Sequence, residues 1–242
     1  MNYIFDTPEE TARGVAELIK AKAIEMTKKS LQFNIALSGG STPKLLFTLL
    51  ASEYSSTIPW HFMRIFWVDE RCVPPTHKES NFGMTYDSLL VNVPIHDANI
   101  FRMQGENEPE KEAIRYQKLL EKELPIVNGF PQFDLVLLGM GDDGHTASIF
   151  PDNLSLLSSD LAVAVGVQPA SGQKRITLTG STILQAKSIV FLITGDSKAT
   201  ILKEILTNNN SDKYPTHHIA NKASTVDFYL DKNAASEINS II

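Results

Sequence analysis

His145 lies in the run "DLVLLGMGDDGHTASIFP", two residues after Asp143 and within a glycine-rich stretch that follows apolar residues. An imidazole titrates near neutrality and can take a proton from water, and a nearby carboxylate can orient its ring or bind sugar hydroxyls. A lone loop histidine can equally be a hydrogen-bonded structural residue. Backbone N–H groups of residues 139–144, Gly144 among them, could face a developing oxyanion. A second candidate is "IALSGGSTPKLL" (35–46). Gly39 and Gly40 allow a sharp turn and close approach of backbone to a ligand, and Ser41 and Thr42 bring hydroxyls. A helix opening at Pro43 would add free N–H groups and a positive dipole end, which suits a phosphate. A strand-to-helix turn capped by Ser41 or Thr42 would use the same residues. The G-x-x-x-x-G-K-[ST] spacing is absent, so this is not a nucleotide P-loop.

Asp69-Glu70-Arg71 is a third candidate, a carboxylate pair beside a guanidinium that could bind polyols and phosphate or could be a solvated loop. Cys72 follows it without the histidine context of a thiol nucleophile and is read as structural. Arg175 opens "RITLT" and Lys198 lies in "TGDSKA". Lys198 follows its strand, but Arg175 begins one, which on simple topology puts it far from the other residues. "GMGDDG" (139–144) matches the dinucleotide pattern G-x-G-x-x-G. Asp142 and Asp143, however, put negative charge where a pyrophosphate would approach, and Pro151 cuts short the helix that should follow. No nicotinamide or flavin cofactor is expected. His217-His218 lacks a third ligand at a recognisable spacing, so no metal site is expected either.

These residues need a scaffold that gathers them. "DTPEETARGVAELIKAKAIEM" starts with Thr7 as cap, Pro8 and Glu10, followed by apolar residues at helical spacing. Strands are predicted at 31–38, 64–69, 133–139, 161–165, 175–179, 188–194 and near "STVDFYL". Helices are predicted from Pro43, at 108–124, in "STILQAK" and at 197–206. Continuous apolar strands separated by helices predict a mostly parallel sheet with helices on both faces. In such a sheet ligands bind outside the carboxyl ends of the strands, where the glycine loop, Asp69, the His145 loop and Thr194-Gly195 would converge. No repeat or linker divides the chain, so residues 1–242 are expected to form a single α/β domain.

The composition sets outer limits. The 242 residues carry a net charge of −6 without a basic tract, which argues against nucleic acid. One cysteine excludes an intrachain disulfide and fits a reducing compartment. No signal peptide or bilayer-length apolar run is evident, so a cytoplasmic protein without a membrane partner is expected. The residues do not reveal the oligomeric state, and a monomer is the working expectation.

Taken together, "ALSGGSTP", "FWVDERCVPPTHKESNFGM", "DLVLLGMGDDGHTASIFP", "RITLT" and "TGDSKA" resemble the 6-phosphogluconolactonase family, in order from residue 36 to 199. The resemblance implies a Rossmann-like fold of the sugar-phosphate isomerase/deaminase type. It also implies hydrolysis of 6-phospho-D-glucono-1,5-lactone, in the oxidative pentose phosphate pathway, without a cofactor. His145 then matches the base that activates water, with Asp69 and Asp143 in support. Ser41, Thr42, Arg71, Arg175 and Lys198 match positions that hold the substrate and its phosphate. Glucosamine-6-phosphate deaminases share the fold and the glycine loop but carry glutamate five residues after the histidine, where this chain has Phe150, and tyrosine in place of Arg71. "TLTGSTI" departs the other way, since lactonases more often have apolar residues there. A sugar-phosphate sensor without chemistry is a third reading, though no helix-turn-helix segment or extra domain would report binding.

Overall fold

Unbroken burial along the apolar central strands means a sheet covered on both faces. In the computed structural model, which describes residues 1–207 and 212–238, that sheet has seven strands. The chain runs β1 (Asn2–Phe5), α1 (Pro8–Lys28), β2 (Phe33–Leu37), α2 (Ser41–Glu53), β3 (Met63–Trp67), β4 (Asp69–Arg71) and α3 (Asn81–Ser88). It continues with β5 (Ile100–Phe101), α4 (Pro109–Glu123), a small hairpin of β6 (Ile126–Val127) and β7 (Phe130–Pro131), and β8 (Leu135–Leu138). Then come β9 (Val163–Val167), β10 (Lys174–Leu178), α5 (Gly180–Ile183), β11 (Ile189–Ile193), α6 (Ala199–Thr207), α7 (Pro215–Lys222) and β12 (Val226–Asp231).

The large sheet has the order β1-β12-β11-β8-β2-β3-β5, and every ladder in it is parallel. Ile35, Leu37, Ile65, Trp67, Leu135 and Leu137 face α1 and α2, joining Val15, Ile19, Leu46 and Phe47 in one core. Their neighbours Ala36, Phe66, Val136 and Leu138 face the other way, onto Tyr116 and Leu120 of α4 and Leu202 and Ile205 of α6. Strand order reverses between β8 and β2, which makes the space beyond their carboxyl ends the natural ligand crevice.

Several elements depart from the sequence reading. Residues 69–71 are not a loop: they form β4, which joins β10 and β9 in a separate antiparallel sheet of order β4-β10-β9. The sequence reading places β9 and β10 in the one mostly parallel sheet, because short apolar runs carry no mark of their pairing direction. α2 begins at Ser41 rather than Pro43, and its N-cap is Gly40, with no side-chain cap from Ser41 or Thr42. Of "STILQAK" only Ser181, Thr182 and Ile183 are helical, in the four-residue α5 that opens at Gly180. The predicted cap at Thr7 is present, with Thr7 Oγ1 accepting from the N–H of Glu10.

Candidate active site

A cavity of about 240 Å³ opens beyond the carboxyl ends of β2, β8 and β11. Ser38–Pro43 form one wall, Gly139–Gly141 with His145–Ala147 a second, and Leu192–Thr194 with Lys198 a third. Asp69, Arg71, Asn81 and Arg175 close it from the side of the small sheet. The crevice thus gathers residues from six segments between 38 and 198.

The glycine loop is shaped by its neighbours. A Cβ on Gly39 would lie 1.7 Å from Asn81 Oδ1, so only glycine fits against α3. Gly40 has φ +110°, a conformation that side chains disfavour, and turns the chain directly into α2. With no side-chain cap, the first N–H groups of α2 stay available to an anion. Ser41 is exposed, and Thr42 Oγ1 lies 2.9 Å from Thr194 Oγ1, tying the loop to the end of β11.

His145 is held from behind. Its Nδ1 lies 2.5 Å from Asp143 Oδ1, and the same oxygen accepts the His145 backbone N–H at 3.1 Å. Burial works to raise the Asp143 carboxyl, but hydrogen bonds and charge from His145 outweigh it and hold the group below its usual range. An ionised Asp143 fixes the proton on Nδ1 and leaves Nε2 as the nitrogen able to act as base. The ring folds back over Gly141, where a Cβ would come within 2.1 Å of its Nδ1 and Cε1. Asp143 and Gly144 lie behind the histidine, not in the cavity wall. Tyr214 packs against Gly144, whose carbonyl accepts from the Thr216 N–H. Ala147, on the wall, has φ +53°, a strained position for a residue with a Cβ.

Asp69 is 5 % exposed and accepts at both oxygens, from the Ser148 hydroxyl at 2.6 Å and from Asn81 Nδ2 at 3.2 Å. Glu70, its neighbour, turns away from the cavity into the start of α3, so the expected carboxylate pair is split. Arg71 donates through Nη1 to the Glu79 carbonyl. Arg175 stands opposite Arg71 in the β10–β4 ladder, and because that ladder is antiparallel the start of β10 meets the end of β4. The topological objection to Arg175 therefore disappears. The Nε atoms of both arginines are buried and without a partner. Desolvation, and then the charge of Arg71, lower the Arg175 guanidinium from its ordinary value. Two cations at such a cavity wall call for an anion between or beside them. Lys198 pairs with Asp142 at 2.5 Å across the rim.

Residues 6–228 match the family described as glucosamine-6-phosphate isomerases/6-phosphogluconolactonase. The chain belongs to this family. A 6-phosphogluconolactonase of Haemophilus influenzae is 43% identical over 236 residues, covering 97% of this chain and 98% of that protein. One from Treponema pallidum is 39% identical over 208 residues, 86% of each chain. The solved structure of 6-phosphogluconolactonase from Trypanosoma brucei is 31% identical, covers 98% of both chains and superposes with a TM-score of 0.87.

Within this member of the isomerase/lactonase family, the sequence puts Thr194 at the ligand edge without a role and gives no sign of Asn81 and Ser148 as site residues. Asn81 and Ser148 carry no charge and titrate nowhere near neutrality, so nothing in their type marked them. Their proximity to Asp69, 12 and 79 residues away in the chain, exists only once the small sheet has formed. Cys72 is half-buried and its thiol is pushed up to about 11, first by burial and then by Glu110, which agrees with a structural role.

Proposed function

We propose that this chain hydrolyses 6-phospho-D-glucono-1,5-lactone to 6-phosphogluconate, with His145 as general base. The observation that carries this reading is the meeting, in one crevice, of an Asp143-oriented histidine with hydroxyls, cations and a helix N-terminus able to hold an anion. The α2 N-terminus, Ser41, Thr42, Arg71, Arg175 and Lys198 hold the phosphate end and so fix the lactone ring by a group remote from the reacting carbon. His145 Nε2 takes a proton from water as the water attacks the lactone carbonyl, and Asp143 stabilises the imidazolium that forms. The tetrahedral oxyanion is met by backbone N–H groups of residues 139–140 or by a neighbouring guanidinium, the Gly141 N–H being held by the His145 carbonyl. On collapse the ring oxygen leaves and takes the proton held by the His145 imidazolium, and the carboxylic acid so formed ionises to solvent, giving the open carboxylate. Asp69, clamped by Ser148 and Asn81, serves as a fixed acceptor for a sugar hydroxyl.

The deaminase reading finds less support. Five residues after His145 stands Phe150, buried at 1 % exposure with its ring centroid 4.7 Å from that of His145. An apolar ring there can neither give nor take the protons that moving an amine requires. A single domain over residues 1–242 and a cytoplasmic setting go with the proposed reading; Cys72 is free, as suits a reducing compartment. No helix among the described residues is long and apolar enough to cross a membrane. The test is a coupled assay in which the lactone is generated enzymatically and its loss is followed with and without the protein. Acceleration supports the proposal, whereas ammonia release from glucosamine-6-phosphate in the same preparation would favour the deaminase.

A further inference from the structure

Glu70 lies between two residues assigned to the site, is only 1 % exposed, and takes no direct part in the cavity. Its carboxylate accepts four hydrogen bonds. Oε1 receives the N–H groups of Arg71 (2.8 Å) and Asn81 (2.7 Å). Oε2 receives the Ser80 hydroxyl (3.0 Å) and the Phe82 N–H (2.8 Å). Asn81 and Phe82 open α3, so a buried negative charge sits at the positive end of that helix. Ser80 already caps the helix by accepting from Gly83 N–H, and starting it does not require Glu70 as well.

What the carboxylate adds is placement. Drawn onto β4 by Glu70, Asn81 donates through Nδ2 to both the carbonyl and the carboxylate of Asp69. Its Oδ1 fills the space where a Cβ on Gly39 would be. One side chain thus abuts the first residue of the anion loop and a carboxylate of the site together.

We propose that Glu70, itself outside the cavity, is a positioning residue: by seating the start of α3 on β4, it makes Asn81 a wedge that holds Gly39 and Asp69 in register. This rests on the assignment of the 39–42 loop and Asp69 to the substrate site. Burying a carboxylate is costly, and burial does push the Glu70 carboxyl above its usual value, with hydrogen bonds from Phe82, Asn81 and Arg71 pulling it back.

The experiment compares Glu70→Gln with Glu112→Gln, in steady-state kinetics on the enzymatically generated lactone. Glu112 is equally buried and binds the Gln104 N–H and Arg115, and it does not line the cavity. An amide at 70 keeps the shape but replaces one acceptor oxygen with a donor facing other donors. Glu70→Gln should raise KM and lower kcat/KM by about 10-fold or more, as a displaced seat requires. Glu112→Gln should lose thermal stability while KM holds, because partial unfolding lowers only the active fraction. Should Glu70→Gln fail to fold, Ser80→Ala removes one of the four donors and should raise KM in the same direction by less. Arg175→Met serves as the reference for the site itself. If it raises KM while neither Glu70→Gln nor Ser80→Ala does, the positioning role is overturned and the site stands. If none of the three moves KM, the site assignment falls with it.

Discussion

Arg175 and Arg71 face each other across the antiparallel β10–β4 ladder, each with a buried, unpartnered Nε. Like charges held this close, and partly desolvated, destabilise the empty protein and are offset when an anion binds between or beside them.

Arg175→Met should therefore raise KM for the phosphorylated lactone by about 10- to 100-fold, the loss expected for one hydrogen bond to a charged group. Without ligand the variant should melt no lower than the wild type. Adding 6-phosphogluconate should raise the wild-type melting temperature more than the variant's, since ligand stabilises in proportion to how far its concentration exceeds Kd. Equal shifts in the two proteins would remove Arg175 from the anion site.

Asp143 and His145 make separable contributions. His145→Ala should lower kcat by about 10²–10⁴-fold with the fold intact. Asp143→Asn should cost less, because the base remains and only its tautomer and orientation are freed. The pairing also predicts a pH effect on stability. The Asp143 carboxyl is lowered in the folded protein, so its contribution is present above the unfolded value, about pH 3.9, and is lost as pH falls through the lower folded value. Melting curves across the acid range should show the wild-type advantage over Asp143→Asn shrinking as pH drops. Parallel curves would mean that the pair is not formed in solution.

Gly141→Ala tests the fold-back of the histidine. Its Cβ would meet the imidazole at 2.1 Å, so the ring must move. A displacement of about 1 Å can cost about 10²-fold in turnover, and kcat should fall accordingly. The proposed phosphate seat at residues 39–42 lies on another wall of the crevice, so any competitive inhibition by inorganic phosphate should be the same in the variant as in the wild type. Loss of phosphate binding together with kcat would instead indicate collapse of the whole loop.

The parts of this site that sequence made legible were those in which one short segment contains both the turn and the chemistry. Gly39-Gly40-Ser41-Thr42 and Gly141–His145 each follow an apolar strand, and a parallel sheet must deliver such loops to one edge. Arg175 was harder. Its segment reads as a strand whichever sheet it joins, and the side of the molecule it reaches depends on antiparallel pairing with β4. Three-residue strands such as Asp69–Arg71 carry too few positions for an alternation pattern. Glu70 shows the same limit: beside Asp69 and Arg71 it looks like one more polar ligand, and only the position of α3 reveals that its carboxylate is spent on the backbone.

Phe150 stands where a deaminase would need an acid, and its surroundings give it a different task. The ring packs on His145 at 4.7 Å between centroids, and the Arg175 guanidinium carbon lies 5.7 Å from the same ring. One buried aromatic thus touches both the histidine proposed as base and an arginine proposed to hold the phosphate. An aromatic pair contributes about 0.5–1.5 kcal/mol and a cation–π contact about 0.5–1 kcal/mol or more. Phe150→Leu keeps an apolar side chain but removes both contacts, so kcat/KM should fall by about 5- to 50-fold. The fall should be shared between kcat, through a looser His145, and KM, through a looser Arg175. Neither the wild type nor this variant should release ammonia from glucosamine-6-phosphate. A Phe150→Leu enzyme with wild-type kcat and KM would mean that the ring merely fills space beneath the site.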